Sequence, residues 1–204
     1  MKILNLYAGI GGNRKLWGDE HEITAVENVP EIAKIYQDFF PNDKVIIAAA
    51  HEYLLDHFEE YDFIWSSPPC PSHSKINRCF TEGLGGGGKN PVVYPDMNLY
   101  EEIILLQYNF KGKYCVENVV GYYEPLIPPQ ELAQHYFWTN FYVTPFDTKT
   151  RGHYAGIDVL ASIKGFNNND LIGVDKTKVL RNCVEPETGL HIFQEAFREY
   201  KTLL

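Results

Sequence analysis

The chain of 204 residues, 45% hydrophobic and 14% aromatic, is long enough for one compact domain with a full core and short for two. Its 27 acidic against 18 basic residues give a formal net charge of -9, which argues against a nucleic-acid partner unless the charge is unevenly placed. The opening residues Met1-Lys2-Ile3-Leu4-Asn5-Leu6 already read as a strand, with no secretory signal before it, and the apolar run 45–50 is far below the ~20 residues of a membrane span. A soluble cytoplasmic protein is expected.

In chain order, Ile3 to Tyr7 is a buried strand that runs into Ala8-Gly9-Ile10-Gly11-Gly12 and then into a stretch that can be helical. Glu22 to Glu27 gives a second strand, and Pro30 to Phe40 a helix with proline in its first turn. Val45 to Ala48, Asp62 to Ser66 and Tyr114 to Glu117 supply further strands, with helices predicted over Glu52 to Phe58 and Leu99 to Phe110. Such alternation predicts an α/β fold, a doubly wound and mainly parallel sheet with helices on both faces. Beyond Asn118 the pattern weakens. Tyr136 to Val143 is β-prone, Ile157 to Lys164 a short helix, and Glu187 to Tyr200 a closing helix. Ser72 to Pro95, with four consecutive glycines at 85–88, reads as one long mobile loop.

Cys70, Cys79, Cys115 and Cys183 are scattered, with no pair at metal-ligand spacing, so neither a zinc site nor a disulfide framework is expected and no metal is assigned. Cys115 reads as strand core. Cys70 differs, because Ser66-Ser67-Pro68-Pro69-Cys70-Pro71 frames it with three prolines at the carboxyl end of a strand. Prolines fix the backbone and remove amide donors there, which is the rigid presentation that a nucleophile needs. Glu117-Asn118-Val119 follows the fifth strand at its carboxyl end and can face the same cleft, where burial would hold Glu117 protonated as a donor; a salt-bridged surface acid is the plainer alternative. Gly9-Ile10-Gly11-Gly12 lets the backbone approach a ligand, and Glu27 at the end of the second strand can accept both hydroxyls of a ribose. Together they point to a nucleoside cofactor.

These residues resemble the DNA cytosine-5 methyltransferase family. Leu6-Tyr7-Ala8-Gly9-Ile10-Gly11-Gly12 is similar to its first motif, with Tyr7 where Phe is usual, and Pro69-Cys70 and Glu117-Asn118-Val119 to its two catalytic motifs. Leu180-Arg181-Asn182-Cys183-Val184 resembles the closing motif, with weaker likenesses at 98–100 and 135–140. The resemblance implies a single Rossmann-like domain over 1–204 and S-adenosylmethionine as cofactor. That cofactor would lie on Tyr7, Ala8, Gly9, Ile10, Gly11 and Gly12, with Glu27 on the ribose and Asn28, Ala49, Ala50, Pro69, Leu99, Asn182 and Val184 around it. It further implies covalent addition of Cys70 to C6 of a flipped-out cytosine, with Glu117 at N3 and Asn118 beside it as the third catalytic position, and closure of 72–95 over the base.

Three departures accompany the resemblance. The third strand ends Ala48-Ala49-Ala50-His51, where the family has an aspartate near Ala49 for the adenine amino group. Gln134 and His135 stand where an arginine motif belongs. The target-recognition region is compressed into about 145–178. Duplex DNA is therefore the expected partner, with room for a second subunit or a restriction endonuclease. A tRNA cytosine-5 methyltransferase, or a methyltransferase-like protein that binds without turnover, are the alternatives. Ser72, Lys75, Arg78, Lys89 and Arg151 are the residues placed to meet phosphates. Residues 71–91 and 145–181 each carry a local net of +2. Phosphate responds to the charge within about 8–10 Å, so the overall -9 becomes an expectation of modest affinity and few phosphate contacts.

Overall fold

A computed structural model describes residues 1–75, 78–79, 93–146 and 156–199. Among the described residues, seven strands form one sheet: β1 (Lys2–Leu6), β2 (Glu22–Val26), β3 (Lys44–Ile46), β4 (Phe63–Ser66), β5 (Lys113–Val119), β6 (Gln130–Leu132) and β7 (His135–Thr139). Their order is β3-β2-β1-β4-β5-β7-β6. The first five pair in parallel, whereas β7 is antiparallel to both β5 and β6. The helices are α1 (Pro30–Phe39), α2 (Ala50–His57), α3 (Asn98–Asn109), α4 (Ile157–Ile163), α5 (Lys176–Arg181) and α6 (Pro186–Ala196).

The central strands are buried on both faces, and their side chains divide by strict alternation. Leu4, Ile64, Tyr114 and Val116 join Leu54 of α2 and Ile103 and Leu106 of α3. Ile3, Phe63, Trp65 and Cys115 turn the other way, onto Phe137, Val143, and Ile192 and Phe193 of α6. A third cluster carries Ile10 from the glycine turn, Ile35 of α1, and Leu160, Leu171 and Leu180 from the C-terminal helices. Within the segment expected to read DNA, residues 156–178 thus pack Leu160, Ala161, Phe166 and Leu171 against the first turn and α1, while Val159 and Ile172 are exposed.

The chain order reverses between β1 and β4, so the crevice beyond their carboxyl ends is the topological switch point at which ligands bind in such sheets. The doubly wound sheet is present as expected, with β6 added and β7 confined to 135–139. One expectation fails locally. Residues 12–17 form turns, closed by Lys15 N–H to Gly12 O and Trp17 N–H to Arg14 O, and no helix. Asn13, Arg14 and Trp17 are all buried while the apolar Leu16 is exposed, so this stretch lacks the apolar inner and polar outer faces of a surface helix. Arg14 pairs with Asp43 at 2.9 Å, and Trp17 donates to the carbonyl of Gly189 at 3.1 Å. Among the described residues no helix is long and apolar enough to cross a membrane.

Candidate functional site

The turn after β1 is held in an uncommon backbone. Tyr7, Gly9 and Gly11 have φ of +53°, +55° and +82°. At Gly9 and Gly11 glycine makes this cheap, whereas at Tyr7 the side chain must be anchored to hold it. The Tyr7 hydroxyl donates to Glu102 Oε1 at 2.6 Å. Burial, followed by the charge of Glu102, pushes the phenol far above its ordinary range and keeps it a neutral donor. Nothing lies within 4 Å of where a Cβ on Gly9 would be, so open space fronts the turn. At Gly12 a Cβ would strike Cys183 Sγ and the Val184 carbonyl oxygen, so the closing motif packs directly on the first glycine turn.

Glu27, 8% exposed, accepts from the backbone N–H of Gly9 and of Val29, each at 3.0 Å, one on each oxygen. A carboxylate offers about four acceptor positions, so two remain unused by these backbone donors. Asn28, Ala49, Pro69 and Asn182 are exposed, Ala8, Ile10 and Ala50 are buried, Val184 is half-buried, and Leu99 is in the core between the sheet and α3. Ala49 precedes α2 with no side-chain cap.

Cys70 is a free, half-buried thiol just past β4. Its carbonyl accepts from the N–H groups of His73 and Ser74, both at 3.0 Å. Burial, and after it the nearby charge of Glu117, push the thiol up. Glu117 sits on β5, beside β4, and is 8% exposed. The third motif residue works between them: Asn118 donates through Nδ2 to the Pro68 carbonyl at 3.0 Å, and its Oδ1 accepts from Val119 N–H at 2.9 Å. The buried amide therefore ties the proline-framed turn to the strand that carries Glu117.

Of the basic residues, Lys75 is exposed and the Arg78 guanidinium lies over the Tyr122 ring at 5.1 Å. Ser72 Oγ accepts from Asp96 N–H at 3.0 Å, closing one end of the 72–95 segment. Lys89, Arg151 and the four glycines at 85–88 lie outside the described residues. Among the described residues no group of three His, Cys, Asp or Glu side chains is arranged to hold a metal ion.

Two features escape a reading of motifs. Glu102, fully buried on α3, accepts from Tyr7, from Ser66 Oγ at 2.5 Å and from His51 Nδ1 at 3.1 Å, and His51 Nε2 lies 3.4 Å from Glu101. With a carboxylate on each ring nitrogen, His51 is held above its ordinary range, the Glu102 hydrogen bond being the largest cause. The available signal was a carboxylate in the apolar stripe Leu99, Glu102, Ile103, Leu106. The second is His135, whose Nε2 lies 3.7 Å from Glu117 Oε1. It was legible only as a residue occupying the place of an arginine.

The sheet order, with its antiparallel β7, is that of a Rossmann-like methyltransferase fold, and the glycine turn after β1 donates to the buried Glu27. Residues 1–85 match the model of the family described as C-5 cytosine-specific DNA methylase, which bears out the resemblance over the segment holding the glycine turn, Glu27 and Cys70. Among solved structures the chain is similar to a mutant of Spodoptera frugiperda DNMT2 (25% identity, TM-score 0.38, covering 59% of this chain and 36% of that one). It is also similar to a SAM-dependent methyltransferase from Agrobacterium tumefaciens (13%, TM-score 0.40, 58% and 38%) and to the Entamoeba histolytica methyltransferase EhMeth (14%, TM-score 0.37, 58% and 38%). No curated protein matches the chain.

Proposed function

We propose that the chain is a DNA cytosine-5 methyltransferase acting through a covalent Cys70 adduct. The observation that carries this reading is the pairing of a proline-framed thiol and a buried glutamate at the carboxyl ends of neighbouring strands, tied together by Asn118 and placed beside the glycine turn. The residues at the crevice fit S-adenosylmethionine. Open space fronts Gly9, and Glu27 keeps acceptor positions for a ribose. When bound, the cofactor supplies an electrophilic methyl group. Tyr7, Ala8, Gly9, Ile10, Gly11 and Gly12 form the wall of its site, Glu27 orients the sugar, and Asn28, Ala49, Ala50, Pro69, Leu99, Asn182 and Val184 belong to its surround.

The Cys70 thiolate adds to C6 of a cytosine taken out of the duplex, and Glu117 places a proton on N3, so that C5 becomes nucleophilic. After methyl transfer, C5 loses its proton to solvent. The bond from Cys70 to C6 then breaks and N3 returns its proton to Glu117. Asn118 keeps the thiol and the carboxyl in register. Ser72, Lys75, Arg78, Lys89 and Arg151 meet the DNA, with the 72–95 segment as the catalytic loop and 145–178 as the short recognition region of a single domain. Such a protein works in the cytoplasm on duplex DNA, alone, with a second subunit, or beside a restriction endonuclease.

Labelled methyl transfer into duplex DNA and into total RNA, compared for the wild type and Cys70→Ala, tests the proposal. Transfer into DNA that vanishes in the folded variant is expected. Full activity in Cys70→Ala removes the mechanism, and label confined to RNA replaces the substrate. S-adenosylhomocysteine binding without any transfer favours a cofactor-binding protein lacking turnover, a reading that the bare Ala49 and the absent arginine motivate.

A further inference from the structure

The pairing of β5 with β7 sets Val119 opposite His135 and Glu117 opposite Phe137. Glu117 and His135 are thus diagonal neighbours on one face of the sheet, within reach of long side chains. The hairpin that delivers His135 turns over only Ala133 and Gln134, between the paired Leu132 and His135, and both have left-handed φ, +52° and +65°. Neither is a residue that favours this conformation, so the turn holds unfavourable backbone immediately before the imidazole. That same turn fixes the ring. His135 Nδ1 lies 3.1 Å from the Ala133 carbonyl, which can only accept, so Nδ1 carries the hydrogen and Nε2 is the nitrogen presented to Glu117 at 3.7 Å.

We propose that His135 is a positioning residue for Glu117, the two holding one proton between them, which serves N3 of the target base and keeps the carboxyl charge off Cys70. The proposal rests on the catalytic reading of Cys70 and Glu117 given above. Because Nδ1 is committed to Ala133, the shared proton has two places, the carboxyl oxygen or Nε2, and in either the pair is neutral overall. As the bond from Cys70 to C6 forms, the proton passes to N3. When that bond breaks, it returns to the pair. The 3.7 Å separation is of the kind that tightens on substrate binding.

Electrostatics support the second half of the proposal. Glu117 raises both Cys70 and Cys115, so its charge is felt by the thiol that must ionise. On this face β6 adds Gln130 and Leu132, β7 adds Phe137 and Thr139, and β5 adds Cys115 and, four residues from Glu117, Lys113, whereas Glu131 pairs with Tyr136 and so points to the opposite face. Among these strand residues, His135 is the basic group adjacent to Glu117, its Nε2 at 3.7 Å.

The test needs neither DNA nor cofactor, so its failure is separable from failure of the methylation reading. Iodoacetamide alkylation of Cys70 is followed by mass spectrometry in the wild type, His135→Gln, Glu117→Gln and the double variant, with the exposed Cys79 as internal reference. At neutral pH, His135→Gln is expected to slow Cys70 alkylation about fivefold, the effect of a like charge raising a thiol by somewhat under one unit. In the Glu117→Gln background the same change should have no effect. No slowing in the first case, or equal slowing in both, overturns the proposal. Should His135→Gln fail to fold, nitrogen NMR of the wild-type ring decides: a neutral His135 protonated on Nε2 contradicts it, and one protonated on Nδ1 agrees.

Discussion

Glu102 is the residue whose replacement should be felt most widely. Its carboxylate is fully buried and takes three donors, from Tyr7, Ser66 and His51, at 2.6, 2.5 and 3.1 Å. Glu102→Gln keeps the shape but removes the charge and turns one oxygen into a donor that must face a hydroxyl or an imidazole. A hydrogen bond to a charged group contributes about 1.5–3 kcal/mol, and an orphaned buried donor costs about 1–3 kcal/mol. Some rearrangement of hydroxyls offsets part of this loss, so a net destabilisation of about 2–4 kcal/mol is expected, or roughly 5–15 °C in Tm for a chain of this size. Urea unfolding measured at several pH values is the assay, with the slope m checked for constancy. The pH dependence has a defined sign. His51 is raised in the folded state, so its contribution is fully present below its unfolded value of about 6.5 and fades as pH rises through the higher folded value. The wild type should lose stability across that interval, and most of this slope should vanish in Glu102→Gln. A variant within about 0.5 kcal/mol of wild type, the range of an ordinary surface substitution, with the slope intact would refute the argument.

Other substitutions probe the crevice itself. Ala49→Asp, which restores an acceptor at the end of β3, should tighten S-adenosylhomocysteine binding about tenfold or more by calorimetry, the worth of one charge-assisted hydrogen bond. Unchanged affinity would place Ala49 away from the adenine. Asn118→Ala leaves the Pro68 carbonyl and Val119 N–H without their partner, and should lower kcat by about tenfold or more with little change in KM for cofactor, the pattern expected when a residue orients Cys70 and Glu117. An equal rise in KM would assign it to binding instead.

Most of the sheet was legible because its strands are short, β-branched and buried on both faces, and because glycine or proline marks their ends. The proline-framed Cys70 and the Glu117-Asn118-Val119 end of β5 stood out for the same reason: they interrupt a strand pattern at its carboxyl edge. Residues 12–17 misled because their composition permits a helix, while the burial of Asn13, Arg14 and Trp17 depends on partners at 43 and 189 that no local pattern reveals. The Glu102 cluster joins residues from β1, α2, β4 and α3, and only the folded sheet brings them together. His135 depended on register. A two-residue hairpin through Ala133 and Gln134 carries no glycine or asparagine signal, so its position beside Glu117 could not be read from the local sequence.

The covalent role of Cys70 is tested most directly by trapping. A duplex carrying 5-fluorocytosine in place of cytosine, incubated with the protein and S-adenosylmethionine, blocks loss of the C5 substituent and should stop the reaction at the adduct. The account predicts a denaturation-resistant protein–DNA complex whose DNA is linked to the peptide bearing Cys70, absent in Cys70→Ala. Methyl transfer to normal duplex with no such complex, or a complex that persists in Cys70→Ala, would contradict it.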